Sequence, residues 1–282
     1  MRIIILFLST FLLCPSALRA DCSTQILNNR IAAQSVQSRI FRGVISNWGT
    51  FPYMVPIFIT LENGADSFCG GSLISDKFVI TAAHCLTGVQ KVTIYLGAGD
   101  ISAKSEAGRI ELTILKKGLI IHENYDAPNF VNDIALIRLP KEVEFSENIQ
   151  PIRLARRSQT DLLNINQKAI LTGWGKTGNS ADRSNLLRYA RNAIIEDKYC
   201  LDIFGKLYHD SNFCVDGHGQ SICSGDSGSA AVIIEKDGGF TQIGVASYVH
   251  SSGCERGHPF SYTRITSYLD WIHKHTELPI RD

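Results

Sequence analysis

From Asn47 onward the chain is cut into strand-length apolar runs rich in Val and Ile, separated by Gly, Asn, Asp and Ser. Met54–Ile59, Phe78–Thr81, Val92–Leu96, Ile134–Leu139, Ala169–Thr172, Ala230–Ile234 and Gln242–Ser247 are such runs. They recur roughly every 10–20 residues, the signature of an all-β sandwich or barrel. Apolar residues return at helix spacing only in Thr266–Thr276, through Tyr268, Leu269, Trp271 and Ile272. A chain of 282 residues, 44% hydrophobic and 20% charged, buries a sizeable core and is not disordered. Its net charge of +1 carries no footprint of a nucleic-acid or acidic-membrane partner.

The first residues set the compartment. Arg2, an apolar run from Ile3 to Leu13 and the small-residue end at Ala20 read as a secretory signal peptide over 1–20. The run is shorter than the roughly 20 apolar residues a membrane span needs. Secretion favours disulfides, and seven cysteines follow Ala20: Cys22, Cys69, Cys85, Cys200, Cys214, Cys223 and Cys254. None forms a C-x-x-C pair, so neither a zinc nor a thioredoxin-like site is expected. Seven is odd, and Cys22 is the candidate without an intrachain partner. The polar stretch 154–166 reads as a linker between two lobes.

Three segments carry chemistry. Thr81-Ala82-Ala83-His84-Cys85 follows an apolar run, Asn132-Asp133-Ile134 opens another, and Gly225-Asp226-Ser227-Gly228 sits in a glycine-rich turn. A serine hydroxyl attacks a carbonyl only when a base takes its proton, and imidazole titrates near neutrality. A carboxylate on the other ring nitrogen fixes the tautomer and stabilises the imidazolium. Glycines beside the serine let two backbone N–H groups, those of Gly225 and Ser227, converge on a developing oxyanion. Singly, each segment is an ordinary turn or strand end.

Together, in the order His, Asp, Ser, they resemble the chymotrypsin/trypsin family of serine proteases. Cys69-Gly70-Gly71-Ser72, Thr172-Gly173-Trp174-Gly175 and Tyr268-Leu269-Asp270-Trp271-Ile272 extend the likeness from Ile40 to the C-terminal helix. The resemblance implies two antiparallel six-stranded β-barrels with the active site between them, plus a C-terminal helix. It implies His84 as general base, Asp133 as its orienting partner and Ser227 as nucleophile. It pairs Cys69 with Cys85, Cys200 with Cys214 and Cys223 with Cys254, and leaves Ala169 and Ile233 where another family bridge would stand. Cofactors and metals are not expected.

The family's activation site corresponds to Ser38-Arg39-Ile40. The resemblance implies a propeptide over 21–39, a protease domain over 40–282, and cleavage after Arg39 by a trypsin-like protease. The new Ile40 ammonium would then pair with Asp226, so the uncut chain is expected to be a zymogen. Phe41 and Arg42 depart from the usual Ile-Val-Gly-Gly, and Arg42 offers a second tryptic site that is expected to be a tolerated surface residue. Likewise, Ser221 falls at the floor of the specificity pocket, where trypsin-like members have Asp, and Val249 and Phe260 fall at its walls. A neutral, narrowed pocket implies small apolar P1 residues, with chymotrypsin-like cleavage next if Phe260 turns aside. Ser247-Tyr248-Val249 matches the segment that pairs with substrate backbone. Ser229 replaces a usual glycine and is expected to be strained if its φ is positive.

The leading expectation is a secreted, monomeric endopeptidase acting on proteins or peptides, most like arthropod digestive members. The alternative is a protease-fold binding protein whose cleft has lost turnover. A regulatory cascade protease is the third reading, and the short stretch before Ile40, with no disulfide domain, weighs against it.

Overall fold

Alternation of buried and exposed side chains appears where a strand faces water on one side. In β6 (Ile110–Leu115), Leu112 and Ile114 point inward while Glu111, Thr113 and Leu115 face out. Where both faces are covered the alternation disappears, and β4 (Phe78–Thr81) is buried throughout. The computed structural model describes residues 40–159 and 165–282, so the signal peptide, Cys22, Arg39 and part of the linker segment lie outside the described residues.

The first lobe comprises β2 (Met54–Leu61), β3 (Asp66–Leu73), β4, β5 (Val89–Leu96), β6, β7 (Leu119–Ile121) and β8 (Ala135–Arg138), paired in the order β6-β5-β2-β3-β4-β8-β7. The two ends of that path, β6 and β7, are successive pieces of chain joined by one 3-10 turn at Lys116–Gly118. One bent strand thus pairs with β5 by its first half and β8 by its second, closing the sheet through the covalent chain.

The second lobe comprises β10 (Lys168–Gly173), β11 (Arg188–Ile195), β12 (Asn212–Val215), β13 (Ala230–Ile234), β14 (Phe240–Val249) and β15 (Phe260–Arg264). Its path β11-β10-β13-β14-β15-β12 closes by a direct β11–β12 pairing, so six strands form a barrel. The short β1 (Val44–Ile45) adds to β11, and β9 (Arg153–Leu154), at the start of the expected linker, runs parallel to β14. Residues 40–233 and 240–282 fall in one compact unit, and the turn after β13 is closed by Gly238 N–H to the Glu235 carbonyl at 2.9 Å.

Polar pairs, two of them fully buried, join the lobes. Ser72 Oγ donates to Gln242 Oε1 at 2.7 Å, Trp174 Nε1 to the Gly99 carbonyl at 3.2 Å, and Thr263 Oγ1 to the Asp133 carbonyl at 2.8 Å. All three expected disulfides are present: Cys69–Cys85, Cys200–Cys214 and Cys223–Cys254. Ala169 and Ile233 are both buried, so apolar packing occupies the place of the missing bridge.

The helices need one correction. Besides the two-turn α3 (Leu269–Thr276), which a 3-10 turn over Ile265–Tyr268 precedes, there is α1 (Ala83–Leu86) and an unforeseen α2 (Asp197–Phe204). Within α2 only Cys200 is buried, while Tyr199 and Leu201 are exposed. Cys200, Ile203 and Phe204 recur at helix spacing over just two turns, and the Cys200–Cys214 bond together with the Phe204 ring, 5.0 Å from Tyr248, holds the helix to the lobe. No described helix is long and apolar enough to cross a membrane.

Candidate active site

Asp133 ends the loop before β8 and is fully buried. Asn132, at φ +56°, turns the chain into it and is held by Tyr268, whose hydroxyl donates to Asn132 Oδ1 at 3.0 Å. A buried carboxylate needs donors, and Asp133 has three. The His84 backbone N–H donates to Oδ1 at 2.9 Å, His84 Nδ1 lies 2.8 Å from Oδ2, and Ser247 Oγ donates to the same Oδ2 at 2.5 Å. His84 sits on α1, directly after β4, and its side chain is 23% exposed against 0% for Asp133. The carboxylate therefore holds Nδ1 and leaves Nε2 free of it.

The Ser247 contact depends on a β-bulge. Between β14 and β15 the register runs Ala246 with Tyr262, then Tyr248 with Ser261, which leaves Ser247 as the extra residue. A bulge re-aims a side chain, and here it turns the Ser247 hydroxyl onto Asp133. The sequence placed Ser247 on the substrate-pairing segment; its hydroxyl role has no linear signal.

Ser227 is half-buried at the opposite wall. Its carbonyl accepts from Gly70 N–H at 2.8 Å. Gly228, at φ +79°, lies so close to Thr81 Oγ1 and the Gly70 carbonyl that a Cβ there would overlap both. Only glycine lets this turn pack against the strand that leads to His84. Among the described residues Ser227 Oγ makes no hydrogen bond, and His84 Nε2 lies 3.7 Å from Cys85 Sγ instead. Such bonds are often long without substrate and tighten when it binds.

The neighbouring amides are aimed. The Ser224 carbonyl accepts from Lys176 N–H at 2.8 Å, so the trans peptide points the Gly225 N–H the other way. Among the described residues neither Gly225 N–H nor Ser227 N–H donates to a protein acceptor. Two unspent donors beside a serine are what a tetrahedral oxyanion requires. Ser229 is not among the positive-φ residues, so the conditional strain does not arise; among the described residues its buried hydroxyl has no partner.

Asp226 is fully buried and accepts from Gly175 N–H at 2.7 Å and Cys223 N–H at 2.9 Å. Burial nevertheless pushes its carboxyl up to about 7, against the pull of those two N–H groups. Ile40 is fully buried, and Phe41 pairs with Ser221, whose N–H donates to the Phe41 carbonyl at 3.2 Å. Arg42 is exposed at φ +58°, in a turn closed by Gly43 N–H to the Ile40 carbonyl, and its own carbonyl accepts from Gln220 Nε2 at 2.7 Å.

Ser221 is 2% exposed and spends its hydroxyl on the Ile222 carbonyl at 2.8 Å. Val249 and Phe260 face each other across β14 and β15; Phe260 is fully buried, edge-on to Tyr262. Tyr248 donates its hydroxyl to the Leu207 carbonyl at 2.7 Å, and burial pushes its phenol up to about 12. Phe130, which no motif marks, bridges the site: its ring lies 5.8 Å from His84 and 5.3 Å from Tyr248. On the Gly225 side a groove of about 610 Å³ opens between Phe58, Phe68, Lys176 and Arg183. Cys69, His84 and Cys85 cluster closely enough to suggest a metal centre, but both sulfurs are spent in a disulfide.

The trypsin family model matches residues 40–272. A collagenase of Hypoderma lineatum is 36% identical over 242 residues, covering 85% of this chain and 88% of the relative. A chymotrypsin of Phaedon cochleariae is 36% identical over 83% of this chain and 82% of its own length, and a brachyurin of Leptuca pugilator 35% over 84% and 98%. A solved structure of HL collagenase superposes with a TM-score of 0.74 at 34% identity, covering 84% of this chain and 99% of that one. With the fold, the chain order of the motifs and these likenesses in agreement, this chain belongs to the trypsin family of serine proteases and is a serine endopeptidase.

Proposed function

We propose that the protein is a secreted zymogen. Once cut after Arg39, it hydrolyses peptide bonds beside small, uncharged P1 residues through Ser227, His84 and Asp133. The carrying observation is the buried Asp133 carboxylate that holds His84 Nδ1 while two amides beside Ser227 stay unspent. Ser227 Oγ attacks the scissile carbonyl as its proton passes to His84 Nε2. The oxyanion takes the Gly225 and Ser227 N–H groups, and His84 then protonates the departing amine. Water, deprotonated by His84, releases the acyl group and restores Ser227. Disulfides on both lobes fit an oxidising compartment.

The pocket reading rests on Ser221, which offers no charge, and on Phe260 packed across from Val249. A mass-spectrometric cleavage profile on a mixed peptide library tests it. Ala and Val should dominate at P1, and Val249→Gly with Phe260→Ala should move the preference toward Phe and Tyr. Cleavage after Lys or Arg by the parent enzyme would refute the pocket assignment.

Activation has its own signature. A protease takes its substrate as an extended strand. Arg42 is locked in a left-handed turn, so the folded chain should be cut at Arg39 alone, and N-terminal sequencing should read Ile40-Phe41-Arg42. Asp226 titrates higher in the folded chain than in the unfolded one, so this group's penalty is absent below about pH 4 and grows as pH rises through about 7. The uncut chain should lose up to about 4 kcal/mol over that window. Pairing with the freed Ile40 ammonium removes the penalty, so the gap in urea midpoint between cut and uncut Ser227→Ala protein should widen from pH 4 to 7. A gap independent of pH would exclude the pairing.

A further inference from the structure

Val249 and Phe260 are paired at the ends of β14 and β15, and residues 250–259 run between them as turns with no helix or strand. Whatever fixes that loop fixes the mouth of the proposed pocket. Among the described residues its backbone makes one bond within itself, Gly253 N–H to the His250 carbonyl at 2.9 Å. Cys254 is tied to Cys223, which lies between Ser221 and Ser227. One covalent point does not by itself set the loop's orientation.

A second point comes from another segment. Lys176 and Arg183 pair as an isolated bridge and close a short hairpin, whose tip turns by Ala181 N–H to the Gly178 carbonyl at 3.2 Å. At that tip Asn179 meets the loop with three groups. Its Oδ1 accepts the Cys254 N–H at 2.9 Å, its Nδ2 donates to the Ser252 carbonyl at 3.3 Å, and its backbone N–H donates to Glu255 Oε1 at 2.7 Å. One side-chain amide thus supplies both an acceptor and a donor to the loop backbone, as a neighbouring strand would. Gly253 lies between the two bonded residues at φ +88°, and a Cβ there would overlap the Asn179 amide, so this approach requires glycine. The root of the hairpin stands on the nucleophile turn, through Gly175 N–H on Asp226 Oδ1 and Lys176 N–H on the Ser224 carbonyl. Asn179 and Glu255 are themselves exposed, so the clamp lies outside the core.

We propose that Asn179 is a positioning residue for the specificity pocket. By holding Ser252 and Cys254 it sets how far the Val249 and Phe260 walls stand apart at the mouth, and so keeps the accepted P1 residue small. That consequence rests on the proposed pocket; the clamp itself does not.

Two measurements on protein cut after Arg39 test this. In a Ser227→Ala background, Asn179→Ala should speed amide hydrogen exchange over 250–259 by about tenfold, with Tm nearly unchanged, because a local opening does not unfold the lobe. In the active enzyme, Asn179→Ala should lower the ratio of kcat/KM for Ala over Phe at P1 by about tenfold, chiefly through KM, as the walls give way to a larger side chain. Glu255→Gln keeps an acceptor for the Asn179 N–H and should behave as the parent in both. Unchanged exchange in Asn179→Ala would refute the clamp. Faster exchange with an unchanged P1 ratio would refute its role in selectivity, and an equal P1 shift in Glu255→Gln would assign the effect to charge and overturn the proposal. A parent profile dominated by Lys or Arg, with exchange as expected, would count against the pocket reading instead.

Discussion

Ser227→Ala should lower kcat on a cleaved peptide by on the order of 10⁶-fold, with KM little changed. In the proposed mechanism the hydroxyl forms the acyl bond, whereas Tyr248, Val249 and the pocket would hold substrate backbone and side chains. The residual rate comes from binding and from the Gly225 and Ser227 amides, which the substitution leaves in place. Ser227→Ala should also fold normally, because the Ser227 backbone carries its anchor to Gly70 and, among the described residues, its hydroxyl has no partner to lose. Progress curves on cut protein, with circular dichroism as the folding control, check both statements. A kcat within tenfold of the parent would mean that another group attacks.

The second large effect concerns a residue that touches no substrate. Asp133→Asn should lower kcat by on the order of 10⁴-fold near neutral pH, because an amide can present its NH₂ to His84 Nδ1 and favour the wrong tautomer. Asp133 Oδ1 also takes the His84 backbone N–H and Oδ2 the Ser247 hydroxyl. Those contacts resist a simple flip of the amide and make the substitution costly to stability as well. Ser247→Ala removes one of the three donors and should be much milder. A merely structural role for Asp133 would lower Tm without this selective loss of kcat; activity kept in Asp133→Asn would contradict the assignment.

How much of this was legible in the sequence differs by residue. His84, Asp133 and Ser227 lie in short, locally coded segments whose chain order alone carried the chemistry, and the strand runs forecast the β architecture. Gly228 was legible as a turn residue, though not the contact with Thr81 that requires it. Ser247 was placed on the right strand but not on Asp133, because a bulge is a register difference between two strands more than ten residues apart. Phe130 had no signal at all: its place between His84 and Tyr248 arises only when the lobes close. In α2 the helix period of Cys200, Ile203 and Phe204 spans only two turns, with exposed Tyr199 and Leu201 beside it, so it did not stand out from the strand-length runs. The possible strain at Ser229 depended on a dihedral that no single residue name fixes, and the observed φ is ordinary.

On the proposed function, Ser227 becomes an activated nucleophile once Ile40 is freed. Treatment with a small alkylsulfonyl fluoride, read by intact mass and peptide mapping, tests it most directly, since the reagent loses fluoride only to a serine whose proton has been taken. One adduct is expected, on Ser227, in protein cut after Arg39, with a strongly reduced yield in the uncut chain and in His84→Ala. Equal labelling of cut and uncut protein, an adduct at another residue, or none at all would contradict it.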